Sequence, residues 1–308
     1  MKTRNILIPQ HGKVFRHICA LCLFLLSALV VIPATGETIR FGFNNTILSG
    51  VTQADAESAL ALWADFVAKE EGVEGESKVT GYKTVEDMLV DLRGEALDVA
   101  MLTAFEYLAI KDRVQLEVIS VGVIQEQIGI PVVIAVHRTS PFQSLKDLQG
   151  KELLCKSMYV EHIGNYWLDG VLSANGLLPT SRFFSRRRTM DKVSKAVLPV
   201  FFNKADACLV RQCALDTMIE LNPQLARDLR IIASSPPMLN GLCAIRPGMN
   251  ATHREILIRR IPTMHQHVKG KQILTLLKLD DATSYKPEML RAAELIYQES
   301  LKLRAGPG

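Results

Sequence analysis

The chain has 308 residues, with 36 lysines and arginines against 32 aspartates and glutamates, a formal net charge of +4 and 48% apolar residues. Four of the basic residues fall within the first 16 positions, so the remainder balances at 32 against 32. That neutrality excludes a strongly basic surface for nucleic acid or an anionic membrane as the basis of function, and it directs attention to small-molecule ligands.

Lys2, Arg4, Lys13 and Arg16 form a basic leader free of acidic residues. Ile18 to Ile32 is an apolar run interrupted only by Ser27, and Ala34-Thr35-Gly36 supplies the small residues of a cleavage point, so residues 1–36 have the three parts of a secretory signal peptide. The mature chain is expected to begin at Glu37 in the periplasm. The apolar run is 15 residues long, against roughly 20 for a spanning helix. Leu21 stands where a lipoprotein signal needs a small residue.

After the leader, Ile39, Phe41 and Phe43 alternate with Arg40 and Gly42, the period of a strand over 38–43. Thr52 and Asp55 then precede Ala56, Leu60, Trp63, Phe66 and Val67, which reads as a capped amphipathic helix closed by Gly72. Residues 79–82 form a short strand, 84–93 a helix and 98–102 a buried strand. The alternation predicts a sheet covered by helices. Two β-rich runs follow, 118–124 and 131–136, and read as strands connecting two halves.

A second alternating unit begins with a strand at 150–155. A loop from Ser157 to His162, a helix over 163–175, a strand near Phe183, a helix over 190–197 and buried strands at 205–210 and 229–233 complete it. Ser234-Ser235-Pro236-Pro237 turns the chain into a return strand at 241–246, and the stretch from Thr252 is mainly helical. Two similar units joined by two extended crossings make a hinge. Cys155, Cys208, Cys213 and Cys243 follow the leader; their spacing matches no zinc motif, and the three possible pairings and the free-thiol state stay open. His265 and His267 are two apart, a spacing that points them in different directions on a helix, so no metal site is assigned. No cofactor-binding or catalytic motif stands out.

Asp98-Val99-Ala100 leading to Thr103-Ala104-Phe105-Glu106-Tyr107, then Ser144-Leu145-Lys146-Asp147-Leu148-Gln149-Gly150-Lys151, Ala205-Asp206-Ala207, the Ser-Ser-Pro-Pro turn and Gly270-Lys271-Gln272-Ile273-Leu274 occur in an order and spacing that resembles the phosphonate and phosphite binding proteins of ABC importers. The resemblance covers 37 to about 303. It implies the type II periplasmic binding-protein fold: α/β, two lobes, each a sheet flanked by helices, joined by two hinge crossings. Lobe one is expected at 37–131 and 238–308, and lobe two at 132–237. The implied function is hinge closure on a small polar or anionic solute for a membrane permease, by a protein that is not an enzyme and, as in the family, a monomer. A sensor kinase as the partner, or an enzyme using Cys155 and His162 on the same fold, are the alternatives.

The resemblance places one wall of the site at Phe43, Asn44 and Asn45, and a second at Tyr82 and the helix start Thr103, Ala104 and Tyr107. The third is the loop with Ser157, Tyr159, Glu161 and His162, where phosphonate-binding members carry a Ser-Thr-Ser cradle and this chain reads Val160-Glu161-His162. A carboxylate there would repel a phosphonate. Arg186-Arg187-Arg188-Thr189 stands where the family places a histidine, and Arg188 with Thr189 could bind an anion through the guanidinium fork. A solvated face is the plainer reading of the arginine run. The aromatics Tyr82, Phe105, Tyr107 and Tyr159 are readable either as ligand-stacking groups or as core. Asp206 is expected to bond backbone amides at the edge of a lobe or to face the cleft.

Overall fold

The computed structural model describes residues 37–48, 51–239 and 241–305; the leader lies outside the described residues. The chain opens with β1 (Ile39–Asn44), a 3-10 turn at Asn45–Ile47, α1 (Gln53–Glu70), β2 (Ser77–Tyr82), α2 (Val85–Arg93), β3 (Val99–Leu102), α3 (Ala104–Ile110) and β4 (Glu117–Val123). The helix starts form where the sequence supplies caps. Thr52, Thr84 and Thr103 each accept the backbone N–H three residues on, and Glu106 returns the bond to the Thr103 N–H at 2.9 Å.

After β5 (Gly129–Ile130) come β6 (Val132–His137), β7 (Glu152–Lys156), α4 (Ser157–Ala174), α5 (Thr180–Phe183), β8 (Arg186–Met190), α6 (Val193–Phe201), β9 (Ala207–Arg211), α7 (Gln212–Leu221), α8 (Gln224–Asp228) and β10 (Leu229–Ser234). The chain ends with β11 (Met238–Leu239), β12 (Leu242–Ile245), α9 (Ala251–Arg260), α10 (Val268–Leu277), β13 (Asp281–Ser284) and α11 (Arg291–Ala305).

Two sheets result. The first has the order β13-β4-β12-β3-β1-β2, with β2, β1 and β3 parallel; the second has the order β10-β6-β9-β7-β8, with β9, β7 and β8 parallel. These are the sheets of lobes one and two. The crossings pair with each other: Met238 lies opposite Ile130 and Leu239 opposite Gly129 in a two-stranded antiparallel ladder. β4 and β6, expected from sequence as connecting strands, are instead inner strands of the two sheets, and the connection is the short β5. Their unbroken apolar runs reflect burial on both faces, which periodicity alone does not separate from a crossing.

Three other local expectations are corrected. Ser157 to His162 is the start of α4, not a loop. The strand expected near Phe183 is β8, and residues 180–183 are a helical turn. β8 is an edge strand rich in arginine, the kind of edge that charge protects from further pairing and that β-propensity misses. β13 adds a strand to the first sheet inside the stretch expected to be helical.

One cluster of buried side chains runs from Met88, Leu102 and Phe105 in lobe one to Val132, Leu168 and Phe183 in lobe two. α11 follows a strand of the first sheet but packs along α4 of lobe two and against α3 of lobe one. Gly170 faces α11 at this contact, where a Cβ would lie 3.4 Å from Cβ of Glu299, in ordinary contact. Among the described residues no helix is long and apolar enough to cross a membrane.

Candidate functional site

The carboxyl ends of the parallel strands in both sheets face the hinge. In lobe one these are Asn44, Tyr82 and Leu102; in lobe two, Lys156, Met190 and Arg211, with the Gln212 N–H donating to Pro131 O at the crossing. In open α/β sheets this edge is where ligands sit. α4 of lobe two rests on the turn Asn45–Ile47 of lobe one, so the two walls meet.

Asn44 is 1% exposed, and its Oδ1 accepts from the Thr46 N–H at 3.0 Å and the Thr46 hydroxyl at 2.7 Å, which shapes the turn. Asn45 donates from Nδ2 to Gln53 at 2.8 Å, and its buried Oδ1 has no hydrogen-bond partner among the described residues. Phe43 is wholly buried in the core beneath α1, so it brings backbone rather than ring to the strand end. Thr103 and Ala104 are buried at the first turn of α3, where Thr103 is spent on its capping box.

Tyr82 is turned away from the cleft wall, with its hydroxyl donating to Asp91 at 2.6 Å; burial and then that carboxylate push its pKa up. Tyr107 is half-buried against the core, and burial likewise raises its pKa against the opposing pull of Lys111. The side chains of Ser157, Tyr159 and Glu161 lie outside the described residues; their backbone forms the start of α4. His162 is half-buried, edge-on to Tyr166 at 5.3 Å.

Arg188 and Thr189 are on β8. Strand alternation puts Arg186 and Arg188 on the face of Glu152 and Arg187 on the face of α4. Arg188 donates to both carboxylate oxygens of Glu152, at 2.8 and 3.3 Å, and Arg187 to Asn165 at 2.7 Å. Glu152 begins β7 at the end away from the hinge, so the Arg188 fork is directed there. Thr189 is exposed. Asp206 also serves that far edge, accepting from the Glu152 N–H at 2.8 Å.

Sequence reasoning missed the groups most suited to the cleft. Lys156 and Arg211 end the buried strands β7 and β9, which are hydrogen-bonded neighbours, and Lys278 of lobe one precedes β13 in a left-handed conformation (φ 58°). Burial lowers the pKa of Lys156, the positive charges of Arg211 and Lys278 add to the effect and Asp191 opposes it, so cations from both lobes act on Lys156. The available signal was a basic residue directly after a buried apolar strand. Tyr166 was also missed. It stacks on Phe105 across the lobes with ring centroids 4.6 Å apart and planes 9° from parallel, and it touches Tyr297 of α11 at 5.7 Å.

None of the four described cysteines is in a disulfide. Cys155 and Cys208 are buried on adjacent strands but project to opposite faces of the sheet. Burial drives Cys208 and Cys243 up to about 12, the reverse of what a nucleophile needs. Among the described residues no cluster of His, Cys, Asp and Glu could hold a metal ion.

Two α/β lobes, paired crossings and a strand-end cleft lined from both sides define a hinged solute-binding protein. The model of the periplasmic phosphonate substrate-binding proteins of ABC transporters matches residues 46–290, and the chain belongs to that family. Its members are solute-binding receptors, not enzymes, and serve importer permeases from the periplasm.

Among solved structures, XAC2383 from Xanthomonas citri bound to chloride ion superposes with a TM-score of 0.65 at 15% identity, covering 88% of this chain and 99% of the other. A binding-protein component of an ABC phosphonate transporter from Pseudomonas aeruginosa gives 0.59 at 15% identity, over 89% and 91%. PhnD1 from Prochlorococcus marinus in complex with methylphosphonate gives 0.58 at 13%, over 86% and 99%. These likenesses show the fold. No curated protein matches the chain.

Proposed function

We propose that this protein is a receptor that closes its lobes over a small anion and presents it to an ABC permease. The observation that carries the reading is the half-buried Lys156 at a strand end, on which Arg211 of lobe two and Lys278 of lobe one both act as positive charges, against the pull of Asp191. An anion there relieves mutual repulsion among the three cations and gains most when both lobes contact it, which couples binding to closure. The known ligands of the similar folds, chloride and methylphosphonate, are of the same charge class.

The lobe boundaries proposed are 37–131 with 238–308, and 132–237; the β5–β11 ladder at the crossings supports them. Export through a leader at residues 1–36 fits the same role. In place of the family's hydroxyl cradle, the binding groups proposed are the amides at the start of α4, Asn45, and the three cations.

A thermal-shift screen of residues 37–308 against phosphonates, phosphite, sulfonates, carboxylates, neutral amino acids and cationic amines tests the reading. Anions at a hundredfold excess over Kd should add about 2.7 kcal/mol, and Lys156→Met should reduce the shift. A response confined to amines, or to no class, overturns it.

A further inference from the structure

Lobe one contains an apolar cavity of about 90 Å³ between its sheet and the helices α1 and α10. Its closed end is formed by buried Phe41, Leu60 and Trp63, and half-buried Ile47, Leu277 and Leu279 form the other. Ser120 brings the only side-chain hydroxyl to the lining, and that hydroxyl is bonded to the Cys243 thiol. A cavity with such walls stays dry and takes apolar guests rather than water.

The half-buried end is built by immediate neighbours of the cleft residues. Ile47 belongs to the same 3-10 turn as Asn45, the turn on which α4 rests. Leu102, also in the lining, directly precedes Thr103. Leu277 and Leu279 flank Lys278, the cation that lobe one contributes to the cluster around Lys156. A positive rim and an apolar compartment therefore adjoin on one side of the cleft, which is the arrangement that an anion with a hydrocarbon tail matches at both ends.

We propose that the lobe-one cavity receives the alkyl tail of the ligand, so that the cleft is built for an amphiphilic anion whose unbranched chain runs from the Lys278 rim inward toward Trp63. At roughly 30 Å³ for each water-sized group, the cavity holds about three methylenes. The inference rests on the anion-receptor reading and adds the chain to it. The glycines Gly122 and Gly241 belong to the same wall, and a side chain at Gly122 would collide with Leu279, its Cβ lying 2.7 Å from Cδ2.

The test is a calorimetric titration of linear alkylphosphonates and alkylsulfonates from one to eight carbons. Affinity should rise about fourfold for each of the first three or so added methylenes, then level off. In protein carrying methyl-labelled methionine, the chain terminus should show contacts with Met264, and Ala282→Leu, which fills the cavity, should abolish the chain-length gain while sparing the one-carbon anion. Should Ala282→Leu fail to fold, the methionine contacts decide alone. Binding of one-carbon anions with no gain along the series, or a gain without contacts to Met264, overturns the tail compartment and leaves the receptor standing. Absence of binding at every length overturns the receptor reading itself.

Discussion

Asp98 shows how one side chain anchors the end of lobe one opposite the cleft. Its carboxylate accepts from Arg40 Nε at 2.8 Å, from the Arg40 N–H at 3.0 Å and from Arg246 at 2.9 Å, tying β1, β3 and β12 together. Burial works against its ionisation, but the two guanidinium groups and the backbone N–H prevail and hold its pKa below the ordinary 3.8. The resulting stability is fully present above pH 3.8 and is lost as pH falls through the lower folded value. Asp98→Ala removes the buried partner of Arg40 and Arg246, so chemical denaturation at pH 7 should show a loss of about 3 kcal/mol, moderated because Arg40 is one-third exposed and Arg246 keeps Glu95. Asp98→Asn should flatten the acid limb of the stability profile.

Arg188 makes the contrasting case, since its fork is engaged by Glu152 at 40% and 20% side-chain exposure. Arg188→Ala should cost about 0.5 kcal/mol of stability and leave solute affinity within twofold by calorimetry. A tenfold weakening would return Arg188 to the cleft.

At the scale of elements, the contact between α4 and α11 limits the size of any side chain that could replace Gly170. Its missing Cβ has 3.4 Å to Glu299 Cβ and 3.7 Å to Ile296 O, ordinary contact distances for a methyl group but with nothing to spare beyond it. Gly170→Ala should therefore be neutral or stabilising by up to about 1 kcal/mol, because it removes the helix penalty of glycine. Gly170→Leu should destabilise by about 1–3 kcal/mol through overpacking. Thermal unfolding of the two variants reads the difference in sign. The sequence predicts a helix over 163–175 and a mainly helical stretch from Thr252, but only the packed helices reveal that α4 and α11 face each other, because they are more than a hundred residues apart in sequence.

For the whole molecule, the stack of Phe105 on Tyr166 is the main described aromatic contact between lobes, reinforced by Tyr297 and edge-on His162. Aromatic pairs of this kind contribute about 0.5–1.5 kcal/mol beyond area burial, enough to bias a closure equilibrium about tenfold. Spin labels on the outer faces of the two lobes should report a longer mean separation in Tyr166→Ala than in the wild type, with anion restoring the shorter one. Identical distributions without ligand would show that closure rests on other contacts.

The alternating strand and helix order, the cap at Thr52, the helix starts near Thr84 and Thr103, and the two returns through the hinge were legible in the sequence, since each depends on residues close together in the chain and on periodicity that burial imposes. The resemblance also pointed to the strand ends that line the cleft. Tertiary structure decided what local pattern cannot carry: that β4 and β6 lie inside sheets, that Tyr82 turns to Asp91 and Arg188 to Glu152, and that Arg211 and Lys278 come within electrostatic reach of Lys156 from distant parts of the chain. A charged residue has the same sequence appearance whether it is paired at a far edge or gathered at a cleft. Its partner is chosen by the fold, because electrostatic and packing energies depend on distance in space and not on separation along the chain.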